Sequence, residues 1–91
     1  MQKGKYKVLI IPSGQRDMDD IKDHKILVGI KKALISLSDE PRPMGSIKLL
    51  GKDDGYRIRI KTYRCCYRID DNEKSVFIYR IKHRKEVYRH L

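Results

Sequence analysis

Two runs of strict alternation, placed almost end to end, limit what this chain can become more than anything else in it. In Tyr56-Arg57-Ile58-Arg59-Ile60-Lys61 every second residue is apolar and every other one is a cation. Successive side chains of a β-strand point to opposite faces. Such a run therefore puts Tyr56, Ile58 and Ile60 on one side and Arg57, Arg59 and Lys61 on the other. The stretch from Tyr63 to Ile69 repeats the pattern, with Tyr63, Cys65, Tyr67 and Ile69 opposed to Arg64, Cys66 and Arg68. Asp70-Asp71-Asn72-Glu73 has hairpin-turn chemistry, and Ser75 to Lys82 reads as a third, more apolar strand. The short connections predict antiparallel neighbours.

A sheet with one apolar face needs a cover. Between Asp23 and Leu37 the residues Ile26, Leu27, Ile30, Ala33, Leu34 and Leu37 recur at three- and four-residue steps, which predicts an amphipathic helix. Ahead of it, Tyr6 to Ile11 is a β-branched apolar run closed by Pro12. Ser13 offers an N-cap for a shorter helix through about Ile21. Ser38 to Gly45, with two prolines and a glycine, predicts a loop. Ile47 to Leu50 suits a short strand, Asp53-Asp54-Gly55 a turn, and Arg84 to Leu91 a final helical turn. The expected fold class is α+β: an N-terminal strand, two helices, an antiparallel sheet of three to four strands, and a short C-terminal helical turn. Ninety-one residues make one domain, 1–91, because two cores would leave each half too small.

Charge is distributed unevenly along this framework. The net charge is +10, and residues 56–91 alone hold eleven Lys/Arg against four Asp/Glu. A surplus concentrated on the alternating strands fits a polyanionic partner, nucleic acid or an anionic membrane. It also fits a plain solvated face that serves solubility. A membrane is the weaker partner, since the cations sit on strands without an adjoining apolar face to insert. No apolar run is long enough to span a bilayer, and Val8-Leu9-Ile10-Ile11 is too short for a signal sequence. Cys65 and Cys66 are adjacent on a strand and so point apart, which excludes an ordinary disulfide between them. No Cys/His spacing suggests zinc. Thiols left reduced fit the cytoplasm, and no metal or small-molecule cofactor is expected.

Strand geometry places successive cations of Arg57, Arg59 and Lys61 about 7 Å apart, with Arg64 and Arg68 added by the neighbouring strand. A row of this kind can meet successive phosphates of a single RNA strand. Arginine suits the task because its planar fork binds oxyanions through two parallel hydrogen bonds and keeps its charge. Tyr56, Tyr63 and Tyr67 share the parity of the apolar residues, so they are expected in the core, not as stacking platforms. His24 and His90 read as solvated residues.

These residues resemble a known family. Gly55-Tyr56-Arg57-Ile58-Arg59, then Tyr63-Arg64-x-x-Tyr67, then His83-Arg84-Lys85-x-Val87-Tyr88 are similar to the RelE/ParE superfamily of bacterial and archaeal toxins. The segments Glu40-Pro41-Arg42-Pro43 and Lys48-Leu49-x-Gly51 resemble that family's connection between helix and sheet. The ordered likeness covers roughly residues 40–90. Within the family, RelE toxins cleave messenger RNA in the ribosomal A site, whereas ParE toxins inhibit DNA gyrase, and the basic, tyrosine-bearing ending here looks like RelE. The resemblance implies a metal-independent endoribonuclease of a type II toxin–antitoxin system. Its partners would be mRNA, the 30S A site and a cognate acidic antitoxin. A gyrase inhibitor and a noncatalytic RNA-binding module of the same fold are the rival readings.

Carried over position by position, the resemblance makes Arg64 the holder of the scissile phosphate and Arg84 a cation near the leaving oxygen. Tyr88 would orient the nucleotide. Arg57 and Arg59 would line the cleavage cleft; by their place on the strands, Lys61, Arg68 and Lys82 are expected to bind the RNA as well. Some RelE toxins carry lysines where this chain has Arg57 and Arg59, and arginine cannot act as a general base. Two possibilities remain at this point. His83 supplies the base, or catalysis is chiefly electrostatic, with the ribosome aligning the 2′-OH. Lys61-Thr62 also departs from the Gly-Asp common before Tyr-Arg in the family.

Overall fold

The computed structural model describes residues 5–51 and 55–89, the last three of these by backbone alone. In chain order the elements are β1 (Lys7–Ile10), α1 (Pro12–Asp19), α2 (His24–Ser36), β2 (Ile47–Lys48), β3 (Gly55–Ile60), β4 (Tyr63–Asp70), β5 (Ser75–His83) and α3 (Arg84–Arg89). The fold is α+β, as the sequence predicts. Its sheet has five strands in the order β1-β5-β4-β3-β2, the expected antiparallel set of four with the N-terminal strand joined to its edge. β1 supplies the extra strand and runs parallel to β5, pairing Lys7 with Ser75 and Ile10 with Ile78. The other pairings are antiparallel.

Helix α2 forms where the periodicity places it. Asp23 caps it by accepting from the N–H groups of Lys25 and Ile26 at 2.9 and 3.3 Å. Ile30 and Leu34, with Leu37 just past the end, are fully buried against the sheet residues Ile58, Ile60, Cys65, Tyr67, Ile78 and Ile81. Each such side chain contributes about 1.5–3 kcal/mol through burial. Helix α1 starts one residue before the expected cap. Pro12 takes the first helical position, Ile11 precedes it without a side-chain cap, and the Ser13 hydroxyl donates to the Tyr79 carbonyl at 2.8 Å. The helix therefore lies along β5 just beyond the point where β1 stops. It can come that close because residue 14 is glycine: a Cβ there would sit 2.6 Å from the Ile78 carbonyl oxygen.

The sheet register sorts every side chain. Tyr56, Tyr67 and Ile78 form one row on the helix-covered face, and Ile58, Cys65 and Ile81 the next. Tyr67 is fully buried, stacks on Tyr56 with centroids 6.0 Å apart, and donates its hydroxyl to the Pro41 carbonyl. Burial raises the Cys65 thiol well above its ordinary range, while Cys66 faces the other way. Between Cys66 and Tyr67 the register with β5 slips, which leaves Tyr79 as an extra residue, a β-bulge. The slip reverses the parity of everything after it on β5. Ile81 and His83 turn to the covered face; Arg80 and Lys82 turn to the open one.

The loop after α2 is tied down by Arg42. Its guanidinium meets both oxygens of Asp71 at 2.8 and 3.3 Å, donates to the Tyr56 hydroxyl at 3.0 Å, and lies 5.3 Å from that ring's centroid. Tyr6 donates to the same carboxylate at 2.5 Å. Arg42, and secondarily Tyr6, hold the Asp71 carboxyl below its ordinary 3.8, and Asp71 in turn raises the Tyr6 hydroxyl. A depressed folded value means that the pair contributes stability above pH 3.8 and loses it as pH falls through the folded value. Because both side chains are about half exposed, the effect is modest. Urea midpoints measured down an acid series should fall faster for the natural protein than for Asp71→Asn, the two curves drawing together at the acid end. Parallel curves would refute the assignment.

Candidate nucleic-acid interface

Opposite the helices the sheet presents its cations in two rows across three strands. Arg59, Arg64 and Lys82 are direct cross-strand partners, and so are Arg57, Cys66 and Arg80. β2 pairs with only Tyr56 and Arg57, so β3 keeps an open edge from Ile58 onward. An open cavity of about 450 Å³ lies against Arg57 to Ile60 there, walled by Ser36 and Leu37 at the end of α2, by Pro43 to Gly45 of the loop and by Ile47 of β2. Arg57, Arg59 and Arg64 all line it.

Arg64 is the unusual member. It is 7% exposed, and its one side-chain hydrogen bond among the described residues runs from Nη1 to the Tyr63 carbonyl at 3.3 Å. Among the described residues no carboxylate pairs with Arg57, Arg59 or Arg64. A buried cation without a counter-charge raises the energy of the fold, and an oxyanion arriving in the cavity would relieve that. The arrangement suits stabilising negative charge on a group held against Arg64, with the more exposed Arg57 and Arg59 along the approach.

The other residues singled out from sequence divide. Lys82 is in the Arg59–Arg64 row, yet its amine already reaches Asp17 Oδ1 at 3.2 Å and Glu86 Oε2 at 3.6 Å. Arg68 is on the same face at the far end of β4, its guanidinium 4.4 Å from the centroid of the Phe77 ring opposite it. Lys61 does not extend the alternation. β3 ends at Ile60, and Lys61 is a turn residue with φ 55°. Its Cε lies close enough to α2 that a Cβ on Gly29 would sit 3.1 Å from it. The turn leaves room for only two residues between the paired Ile60 and Tyr63, so the strand cannot include it.

His83 falls in the row of Ile60 and Tyr63, on the opposite face from Arg59 and Arg64. Its ring packs edge-on against Tyr63 at 5.4 Å, and Nδ1 accepts from the Lys85 N–H at 3.2 Å. Arg84 opens α3 with an exposed side chain, its N–H donating to the Thr62 carbonyl at 2.8 Å. Tyr88 belongs to α3, but its side chain lies outside the described part. Two residues escaped the sequence reading. Arg80 reaches the open face only through the bulge, whose trace in the sequence is the three-residue step from Ile78 to Ile81. Asp17, a lone acidic residue of a weak helix, gave no signal.

Comparison with known proteins bears on the family and the fold. The family model described as the ParE toxin of the type II toxin–antitoxin system matches residues 8–88. Toxin RelG of Mycobacterium tuberculosis (strain ATCC 25618 / H37Rv) is 31% identical over 84 residues, which span 92% of this chain and 97% of that one. The fold is similar to one chain of the toxin–antitoxin complex RelBE2 from Mycobacterium tuberculosis. There the TM-score is 0.75 and the identity 29%, over 87% of this chain and 98% of the other. It is also similar to one chain of the archaeal RelE–RelB complex from Pyrococcus horikoshii OT3, with TM-score 0.77 and 26% identity over 88% and 96%.

Proposed function

The chain belongs to the RelE/ParE superfamily of type II toxin–antitoxin toxins, and from that premise we propose that it is a metal-independent endoribonuclease that cuts mRNA in the ribosomal A site. The observation that carries the reading is the shared cavity of Arg57, Arg59 and Arg64, three cations unpaired with any carboxylate among the described residues. A gyrase inhibitor has no need of such a cluster.

In the proposed reaction the 2′-OH of one nucleotide attacks the adjacent phosphorus. The bond from phosphorus to the 5′-oxygen breaks, the 2′-OH giving up its proton to water and the 5′-oxygen taking one from water, which leaves a 2′,3′-cyclic phosphate and a 5′-OH. Negative charge builds on the non-bridging oxygens along the way. Arg64, buried and fixed by its own strand, meets that charge in a low-dielectric setting where a fixed cation is worth far more than in water. Arg57 and Arg59 guide the flanking phosphates. Arg84 lies near the leaving oxygen and Tyr88 orients the nucleotide. Arg57, Arg59 and Arg64 cannot take a proton from the 2′-OH. The parity and the Lys85 contact of His83 favour the electrostatic mechanism over a histidine base, with the ribosome aligning the attack. Such a toxin works in the cytoplasm, and a small acidic antitoxin would neutralise its net charge of +10. The two similar solved structures are themselves of complexes with an antitoxin or with RelB.

Primer extension on an mRNA under translation tests the reading. Cuts between codon positions in the A site are expected only on translated message, with 5′-OH ends, and are lost when the protein is first mixed with its antitoxin. Message left intact while gyrase-dependent DNA breaks accumulate would place the protein with the ParE toxins. Binding without cutting would make it a noncatalytic module.

A further inference from the structure

We propose that Asp17 is a positioning residue of the basic face, holding Arg80 and Lys82 along the outer edge of β5 and thereby making Arg80 part of the RNA contact. The inference rests on the RNA-cleaving reading above. Asp17 lies on α1, the helix that Gly14 allows against β5, and is 6% exposed. Its carboxylate sits among three donors. Oδ2 accepts from the backbone N–H of Ile81 at 2.9 Å and lies 3.5 Å from Arg80 Nη1, while Oδ1 lies 3.2 Å from Lys82 Nζ.

The backbone bond alone does not call for a charge. Beyond Ile10 the edge of β5 has lost its strand partner, and its polar groups need side-chain partners. Two residues up the same edge a neutral group suffices: the Ser13 hydroxyl serves the Tyr79 carbonyl. A buried carboxylate is costly to desolvate, so its charge points to the two cations beside it. Those cations are on the open face only because the Tyr79 bulge turned them there. Lys82 directly opposes Arg64, and like charges in that position repel. Asp17 draws Lys82 and Arg80 outward and fixes where they stand. A phosphate chain crossing the strands from Arg57 and Arg59 over Arg64 would then meet cations at set positions on β5. Each of those cations must partly exchange Asp17 for phosphate, which restrains unspecific binding while keeping the geometry that turnover needs.

Asp17→Asn separates this role from a merely structural one, because the amide oxygen can still accept from Ile81 while the charge is gone. Affinity for an unstructured single-stranded RNA is measured across a KCl series, together with single-turnover cleavage on programmed ribosomes. Freed Lys82 should steepen the salt slope by about 0.7 as it meets a phosphate of its own. Cleavage at saturation should fall about tenfold with no rise in KM. Both effects should vanish in a background carrying Arg80→Ala and Lys82→Ala. Arg80→Gln, which keeps Asp17 and its bond from the Ile81 N–H, should by itself flatten the slope by about 0.7. An unchanged slope in both variants, or a cleavage loss that follows the folded fraction and persists in the double-alanine background, overturns the proposal. If the natural protein leaves ribosomal mRNA uncut, the RNA-cleaving reading falls by itself, and the salt slopes still decide about Asp17.

Discussion

Replacing Arg64 by methionine is expected to give a protein that melts higher than the natural one and cuts mRNA about 10²–10³-fold more slowly. The two halves of that result have one cause. Arg64 is buried with a single long hydrogen bond to a strand carbonyl and no carboxylate partner among the described residues. Methionine keeps the buried stem, avoids a cavity, and removes a charge whose desolvation the fold otherwise leaves uncompensated. Substitutions of that kind are commonly stabilising by about 1 kcal/mol or more, which for a domain of this size is roughly 4–8 °C. In the proposed mechanism the lost charge is the one set against the developing phosphorane, and removing a fixed donor of this type lowers turnover by about 10²–10³. Thermal melts and single-turnover primer extension measure the halves separately. A variant that melts lower yet cuts normally would show that Arg64 is a structural residue.

The other large effect concerns Gly14→Ala. Helix propensity alone favours the change by about 1 kcal/mol. The structure reverses the sign. The new methyl would stand 2.6 Å from the Ile78 carbonyl oxygen and 3.3 Å from the Ile10 Cγ2, and a backbone carbonyl in a paired strand cannot swing aside. Helix α1 must then retreat from β5, which stretches the Ser13–Tyr79 and Asp17–Ile81 hydrogen bonds together. Overpacking of this kind costs about 1–3 kcal/mol, occasionally more, so a drop in melting temperature of about 10 °C is expected. An unchanged or higher melting temperature would mean that α1 packs less closely than the distances indicate.

The legible parts of this protein were those written in short-range periodicity. The β3–β4 hairpin and the two faces of its alternation follow from parity alone, and α2 follows from its apolar steps and Asp23. Three features were hidden because their causes are non-local. β1 looks like any apolar strand, and nothing near Lys7 announces that its partner begins at Ser75. The Tyr79 bulge moves Arg80 and Lys82 across the sheet, yet in the sequence it is only one irregular step between isoleucines. Lys61 continues the alternation in letters, but the hairpin needs a turn there, and geometry overrides the pattern. The site was legible to the extent that it lies on the hairpin: Arg57, Arg59 and Arg64 come together as their parity requires. The β5 side of the face, with Asp17 behind it, depends on how α1 docks, which no local pattern encodes.

The parallel pairing of β1 with β5 also bears on how the protein is made. Lys7 and its partner Ser75 are 68 positions apart, the difference of their numbers. At the usual pace of synthesis, about 5–20 residues per second, the later strand is polymerised roughly 3–14 s after the earlier one. Until then the first strand has no edge to join, and Arg80 and Lys82 do not yet exist beside Arg64. Until those residues have been made, a nascent chain thus lacks the last wall of the basic face. On the proposed function, birth order delays the moment at which a newly made copy could act on a ribosome.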